Sequence, residues 1–180
     1  MKNIFLLGLA IVLIASCESN VKQRYTQQSP EIDTYKQVIA NYESKNWQAL
    51  AGHYADSAKI LNNKTEEYAK TVTEMIEANK KSAEIFSSWS FMDNESEYEM
   101  VIIDNGETWV NFWSVWEGTL KANNKTYQIP IHTTARFVDG KIVKELGFWD
   151  ESEVVIDMMQ LQQQKEAAQE PTETTEAETE

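Results

Sequence analysis

The sequence predicts an α+β domain, a curved antiparallel sheet with helices on one face, and three observations carry that prediction. The first half of the chain repeats its apolar residues at helical spacing. From Ser90 onward the period changes to two. Within Ile129 to Asp150, two alternating runs are joined by Val138-Asp139-Gly140-Lys141. Asp-Gly between alternating strands is a strong hairpin signal, because a tight primed turn needs positive φ.

Taken in order, Ser29-Pro30-Glu31 reads as a helix start, with Ser29 as N-cap and Pro30 in the first turn. Ile32, Tyr35, Val38, Ile39 and Tyr42 then form an apolar stripe, and Lys45-Asn46 breaks it. Trp47 to Tyr54 reads as a second short helix, and Ala58 to Leu61 as a brief strand. Thr65 to Trp89 lacks Gly and Pro and predicts the longest helix, with Tyr68, Val72, Met75, Ile76, Ala83 and Phe86 on its apolar side. Glu97 to Ile103, Glu107 to Leu120, Thr126 to Val138 and the strand after Gly140 predict a four-stranded meander. Helices segregated from such a sheet make the class α+β.

The chain has 180 residues and a net charge of −13, enough for one domain with appendages. Basic clusters for phosphate are missing, which argues against nucleic acid, and acidity argues against electrostatic docking on anionic lipid. The single cysteine is Cys17, so no intrachain disulfide forms. Lys2 precedes an apolar run, Ile4 to Ile14, too short to span a bilayer comfortably. Leu13-Ile14-Ala15-Ser16-Cys17 resembles the lipobox of bacterial lipoproteins, which implies a signal peptide over 1–16 and lipidation of Cys17. Glu18, in place of Asp, implies an outer-membrane address in the cell envelope. Residues 17–30 then read as a polar tether and 31–159 as the domain. Residues 160–180 read as a disordered acidic tail, since 165–180 hold six glutamates, one lysine and no Val, Ile or Leu.

Two strings carry a resemblance. Trp47-Gln48-Ala49-Leu50 through Tyr54-Ala55-Asp56-Ser57-Ala58 is similar to the helix-to-strand entry of the nuclear transport factor 2-like superfamily, in particular its SnoaL-like branch. Asp139-Gly140-Lys141-Ile142-Val143 through Phe148-Trp149-Asp150 resembles the last hairpin of that branch. The resemblance covers about 31–156 and implies a cone, with a bent sheet wrapped around helices and a pocket at the open end. It does not supply the machinery. The base of the fold's ketosteroid isomerases falls here on Asn62, an amide, and their protonated aspartate on Thr133. Their oxyanion-hole tyrosine falls near Val38 by ungapped counting. The aspartate of the cyclases and epoxide hydrolases falls on Gly147. Glu145, two residues earlier on the same strand face, is the nearest carboxylate.

The strand parity implied by the resemblance faces Ile129, Ile131, Thr133, Ala135 and Phe137 to the pocket, with Val143, Glu145, Gly147 and Trp149. The expected pocket comprises Tyr54, Asn62, Trp116, Ile131, Thr133 and Trp149, with Glu145 as the candidate catalytic acid. Otherwise Glu145 is solvated, or pairs with Arg136 or Lys144. Asp56 reads as a turn or cap residue. His53 and His132 lack metal-ligand spacing, so neither a metal nor another cofactor is expected. Trp109 and Trp113 share one strand face, Phe112 and Trp116 the other; one set packs on the helices and the second predicts a dimer through the sheet face. The functional expectation is an envelope-anchored domain binding a small apolar or carbohydrate-like ligand or a protein partner. An isomerase, dehydratase or hydrolase using Glu145 is the alternative, and a structural dimerisation module with a plugged cone the third. Alkyne palmitate fed to the native host labels the wild-type chain, and Cys17→Ser loses both the label and the membrane fraction. An unlabelled wild-type chain that fractionates like Cys17→Ser rules out the anchor.

Overall fold

A computed structural model describes residues 24–169. The expected signal peptide, the first half of the tether with Cys17, and residues 170–180 lie outside that span. The described chain runs β1 (Tyr25–Thr26), α1 (Pro30–Glu43), α2 (Trp47–Gly52), β2 (Tyr54–Asn62), α3 (Val72–Ile85), β3 (Phe86–Phe91), β4 (Glu97–Ile102), β5 (Thr108–Leu120), β6 (Thr126–Val138), β7 (Lys141–Trp149) and α4 (Ser152–Gln169). Single 3-10 turns, Glu66–Tyr68 and Asp93–Glu95, precede α3 and β4.

The seven strands form one sheet in the order β1-β4-β5-β6-β7-β2, with β3 also on β5. The predicted meander β4 to β7 is present, and Asp139 and Gly140 turn its last hairpin with φ of 48° and 74°. Ser29 Oγ accepts from the Ile32 amide at 3.2 Å, so the first helix begins where its cap predicts. β5 is the spine. Its first half pairs with β4 and its second half with β3, while β6 covers its other edge throughout.

Four expectations need correction. The helix read over Thr65 to Trp89 is shorter, because Thr71 and Glu74 form a capping box that starts α3 at Val72. Its end is fixed by Phe86, Trp89 and Phe91, which with intervening serines suit the edge of β5 better than a helix. The brief strand at Ala58 is a nine-residue strand that runs parallel to β7. The tether is shorter than 17–30, since Tyr25 and Thr26 pair with β4 and Arg24 bonds to Asp104 at 2.7 Å. The tail is helical through Gln169, because Val154 and Leu161, two turns apart, dock on Phe86, Leu120 and Tyr127.

The main core lies between the concave sheet face and the first three helices. Ile32, Tyr35 and Val38 from α1, Leu50 from α2, and Met75 and Ile76 from α3 pack on Val110, Phe112, Ala135, Phe137 and Ile142. One parity expectation fails there. A bulge between Arg136 and Phe137 pairs Phe137 with Ile142 and Arg136 with Lys144, so Ile142 takes the buried place expected for Val143. On the convex face, Trp113 is 38% exposed and Phe148 51%, with His132 stacked between them at ring distances of 4.9 and 6.2 Å. Phe112 and Trp116 point inward. α4 is held across the open end by Lys125, which reaches Glu153 and Asp157 at 2.8 and 2.7 Å, and by the Tyr127 hydroxyl donating to Asp157 at 2.7 Å.

Candidate functional site

A cavity of about 500 Å³ opens between the concave sheet face and helices α1, α3 and α4. The strand register lays out its wall in rows. Ile60 lies opposite Glu145, itself opposite Ala135. Asn62 lies opposite Gly147, itself opposite Thr133, and Trp149 lies opposite Ile131. Side chains two apart on a strand share a face, so these rows present Glu145, Asn62, Thr133, Ile131 and Trp149 to one space. Tyr54 and Trp116 line it as well. The cavity therefore gathers every pocket residue expected from the sequence, and adds Tyr35, Val38, Tyr42 and Met75 from the helices and Val154 and Met158 from α4.

Glu145 is the chemical centre. It is 6% exposed. The Tyr54 hydroxyl donates to its Oε2 at 2.8 Å, and the Tyr35 hydroxyl lies 3.1 Å from the same oxygen. Tyr35 also lies 2.8 Å from Thr133 Oγ1. A phenol has one proton, so when Tyr35 donates to the carboxylate, Thr133 donates to Tyr35. Burial pushes the Glu145 carboxyl above its usual range, and the two tyrosine hydrogen bonds pull it partly back. Burial and then the Glu145 charge hold both phenols well above the usual tyrosine range. Oε2 is thus doubly engaged, while among the described residues nothing bonds Oε1.

Among the described residues no cation pairs with Glu145. Arg136 pairs with Glu107 at 2.9 Å and Lys144 with Glu66 at 2.7 Å, both on the outer side of the strands. Neither solvation nor pairing with these residues describes its surroundings. Sequence counting also missed Tyr35. It pointed to Val38, one turn further along the same α1 stripe, whereas Val38 packs in the core. The available signal was a phenol within an apolar stripe, whose hydroxyl needs a partner once buried.

The neighbouring polar groups are set by close packing. Asn62 Oδ1 is buried without a hydrogen-bond partner among the described residues. A Cβ on Gly147 would lie 2.6 Å from that oxygen and inside the Trp149 ring, so glycine is what lets both side chains cross the strand. Asn63 then clamps Trp149, donating to its carbonyl at 3.0 Å and accepting from its amide at 3.1 Å. Trp116 folds over Gly118 and packs edge-on against Phe86 at 5.1 Å. Its Nε1 is buried and closes no hydrogen bond. Lys64, Lys70 and Glu151 are the charged residues that join Glu145 on the lining.

The other candidates lie elsewhere. Asp56 is exposed near the start of β2 and does not line the cavity. His53 caps α2 and meets Asn41 Nδ2 at 3.1 Å. His132 faces outward in the Trp113–Phe148 stack. Among the described residues no three His, Cys, Asp or Glu side chains converge as metal ligands.

Neither a family model nor a curated protein matches this sequence. Solved structures do match in shape. A candidate polyketide cyclase from Xanthomonas campestris pv. campestris has a TM-score of 0.59 at 13% identity, covering 73% of this chain and 98% of its own. A candidate SnoaL-like polyketide cyclase from Shewanella denitrificans OS-217 has a TM-score of 0.56 at 15% identity, covering 74% and 98%. A hypothetical protein with a ketosteroid isomerase-like fold from Catenulispora acidiphila DSM 44928, solved with trimethylamine, has a TM-score of 0.55 at 14% identity, covering 69% and 90%.

The burial of Glu145 makes a signed prediction. Its folded-state proton affinity exceeds the ordinary value near 4.5, so the folded chain binds more protons than the unfolded one above that pH. The cost of its charge is absent below pH 4.5 and grows as pH rises through the folded value. Urea unfolding of wild type and Glu145→Gln across this window should show the variant gaining relative stability as pH rises; a pH-independent difference would contradict the assignment. With its helices against a curved sheet, its open-ended cavity and these solved neighbours, the described chain has the cone fold shared by these cyclase-like and ketosteroid isomerase-like structures.

Proposed function

We propose that this domain binds a small, largely apolar organic molecule in its cone cavity, with Glu145 as the polar anchor. The observation that carries this reading is a buried carboxyl whose Oε1 has no bond from the described residues, on the wall of a cavity of about 500 Å³. That volume suits a small ligand, and an apolar lining with a few convergent polar groups is the usual character of such sites. Although Asn62, Asn79, Ser82 and Thr133 are among its lining residues, apolar surface predominates in the cavity, which favours an apolar ligand over a carbohydrate-like one. The open cavity also weighs against a purely structural module, which predicted a cone filled with its own side chains. Lipid anchoring at Cys17 and an envelope address belong to the same proposal, on the support of the Leu13 to Cys17 string.

N-phenyl-1-naphthylamine, a neutral apolar probe, is expected to brighten on binding wild type. Ala78→Trp, which fills the cavity from α3, should weaken that binding about tenfold or more. Equal binding to both proteins sinks the reading.

A second reading, acid–base catalysis, is favoured by one observation: the raised proton affinity of Glu145 beside two phenols that hydrogen-bond to it. Such a site would withdraw and return a proton next to a carbonyl. It predicts that wild type speeds exchange of the α-hydrogens of cyclohexanone in D2O by more than about tenfold over Glu145→Gln. Identical exchange in the two proteins removes the catalytic reading and leaves the binding one standing.

A further inference from the structure

The cavity contains an unbalanced set of polar groups. Glu145 is a buried acid with no basic side chain beside it, because Arg136 and Lys144 are each engaged by another glutamate on the outer side. Its near partners are the phenols of Tyr35 and Tyr54, and both address Oε2. Oε1 is left as an open acceptor. Asn62 Oδ1, also unpartnered among the described residues, is packed away against Gly147 and Trp149. The rings of Tyr35, Tyr54 and Trp149 line the same space.

An open acceptor able to carry a negative charge asks for a donor with a positive charge. We propose that the cavity takes a protonated primary amine with an apolar body, one ammonium N–H donated to Glu145 Oε1. The proposal rests on the reading of the cavity as a ligand site and specifies what that ligand carries. A neutral alcohol can donate to Oε1 but leaves the charge of the carboxylate uncompensated. An ammonium pairs the charge inside a low-dielectric space, where charge-assisted hydrogen bonds are strongest. Aromatic faces add attraction for the cation. The rim opposes it in part, since Lys64 and Lys70 are positive, while Glu151 and the net charge of −13 act the other way.

Binding is a balanced exchange. The ammonium and Glu145 form a carboxylate–ammonium pair, and any proton that the carboxyl carried beforehand leaves to the buffer. Tyr35 and Tyr54, the titratable neighbours of Glu145, keep their protons because both phenols are held well above their usual range.

Calorimetric titration of the full chain with 2-phenylethylamine and with its near-isostere 2-phenylethanol tests the proposal. The amine should bind at least about tenfold more tightly. Glu145→Gln should erase that preference. The comparison of amine with alcohol is made in wild type and does not depend on any variant folding. Equal affinity for amine and alcohol overturns the amine assignment and leaves the cavity as a site for neutral ligands. Failure of both to bind or to displace N-phenyl-1-naphthylamine overturns the amine and the ligand-site reading together.

Discussion

The parallel pairing of β2 with β7 is the constraint on which the site depends. No tight turn can join parallel strands, so β2 waits for about eighty residues of chain before its partner exists. Its arrival brings Tyr54 and Asn62 beside Glu145 and Gly147, and closes one side of the concave face. Without it, β7 is an edge strand and Glu145 meets water. The acid's unusual environment is therefore a product of topology before it is a product of local sequence. A second long-range contact, α1 lying across the same face, adds Tyr35 and completes the enclosure.

That enclosure has an energetic sign. A carboxyl buried among phenols and apolar side chains destabilises the domain whenever it is ionised, and two tyrosine hydrogen bonds offset only part of this. Gly147 adds to the same picture, since a strand interior gains nothing from glycine except the room it gives Asn62 and Trp149. Asn62, Trp116 and Glu145, whose amide oxygen, indole nitrogen and charge find no partner, hydrogen bond or cation among the described residues, all line one cavity. Sites of ligand contact are where such local costs are usually found.

Much of this was legible in the sequence where it depends on neighbours in the chain. The Asp139-Gly140 turn, the Ser29 cap and the period-two runs after Ser90 rest on local geometry, and each forms as read. The inward parity of Glu145, Gly147 and Trp149 holds because it counts along one strand beyond the bulge. What escaped is what distant partners decide. Phe86 to Phe91 has no helix-breaking glycine or proline, and only β5 makes it a strand. Val143 yields its place to Ile142 through a bulge that no alternation pattern announces. Tyr35 looked like one more apolar position until a strand 110 residues away supplied the oxygen its hydroxyl meets.

The small strand β1 has a consequence for how the domain sits in the cell. Lipidation at Cys17, as proposed, would leave only six residues between Cys17 and Arg24, which pairs with Asp104 at the sheet edge. The seven steps from Cys17 to Arg24 reach about 25 Å at full stretch. A domain of this size is roughly 40 Å across. The leash is shorter than the body it holds. The β1–β4 edge would be kept near the lipid headgroups, and the protein would act as a fixture of the bilayer surface, serving molecules that arrive along or from that surface and not ones met at large in the compartment.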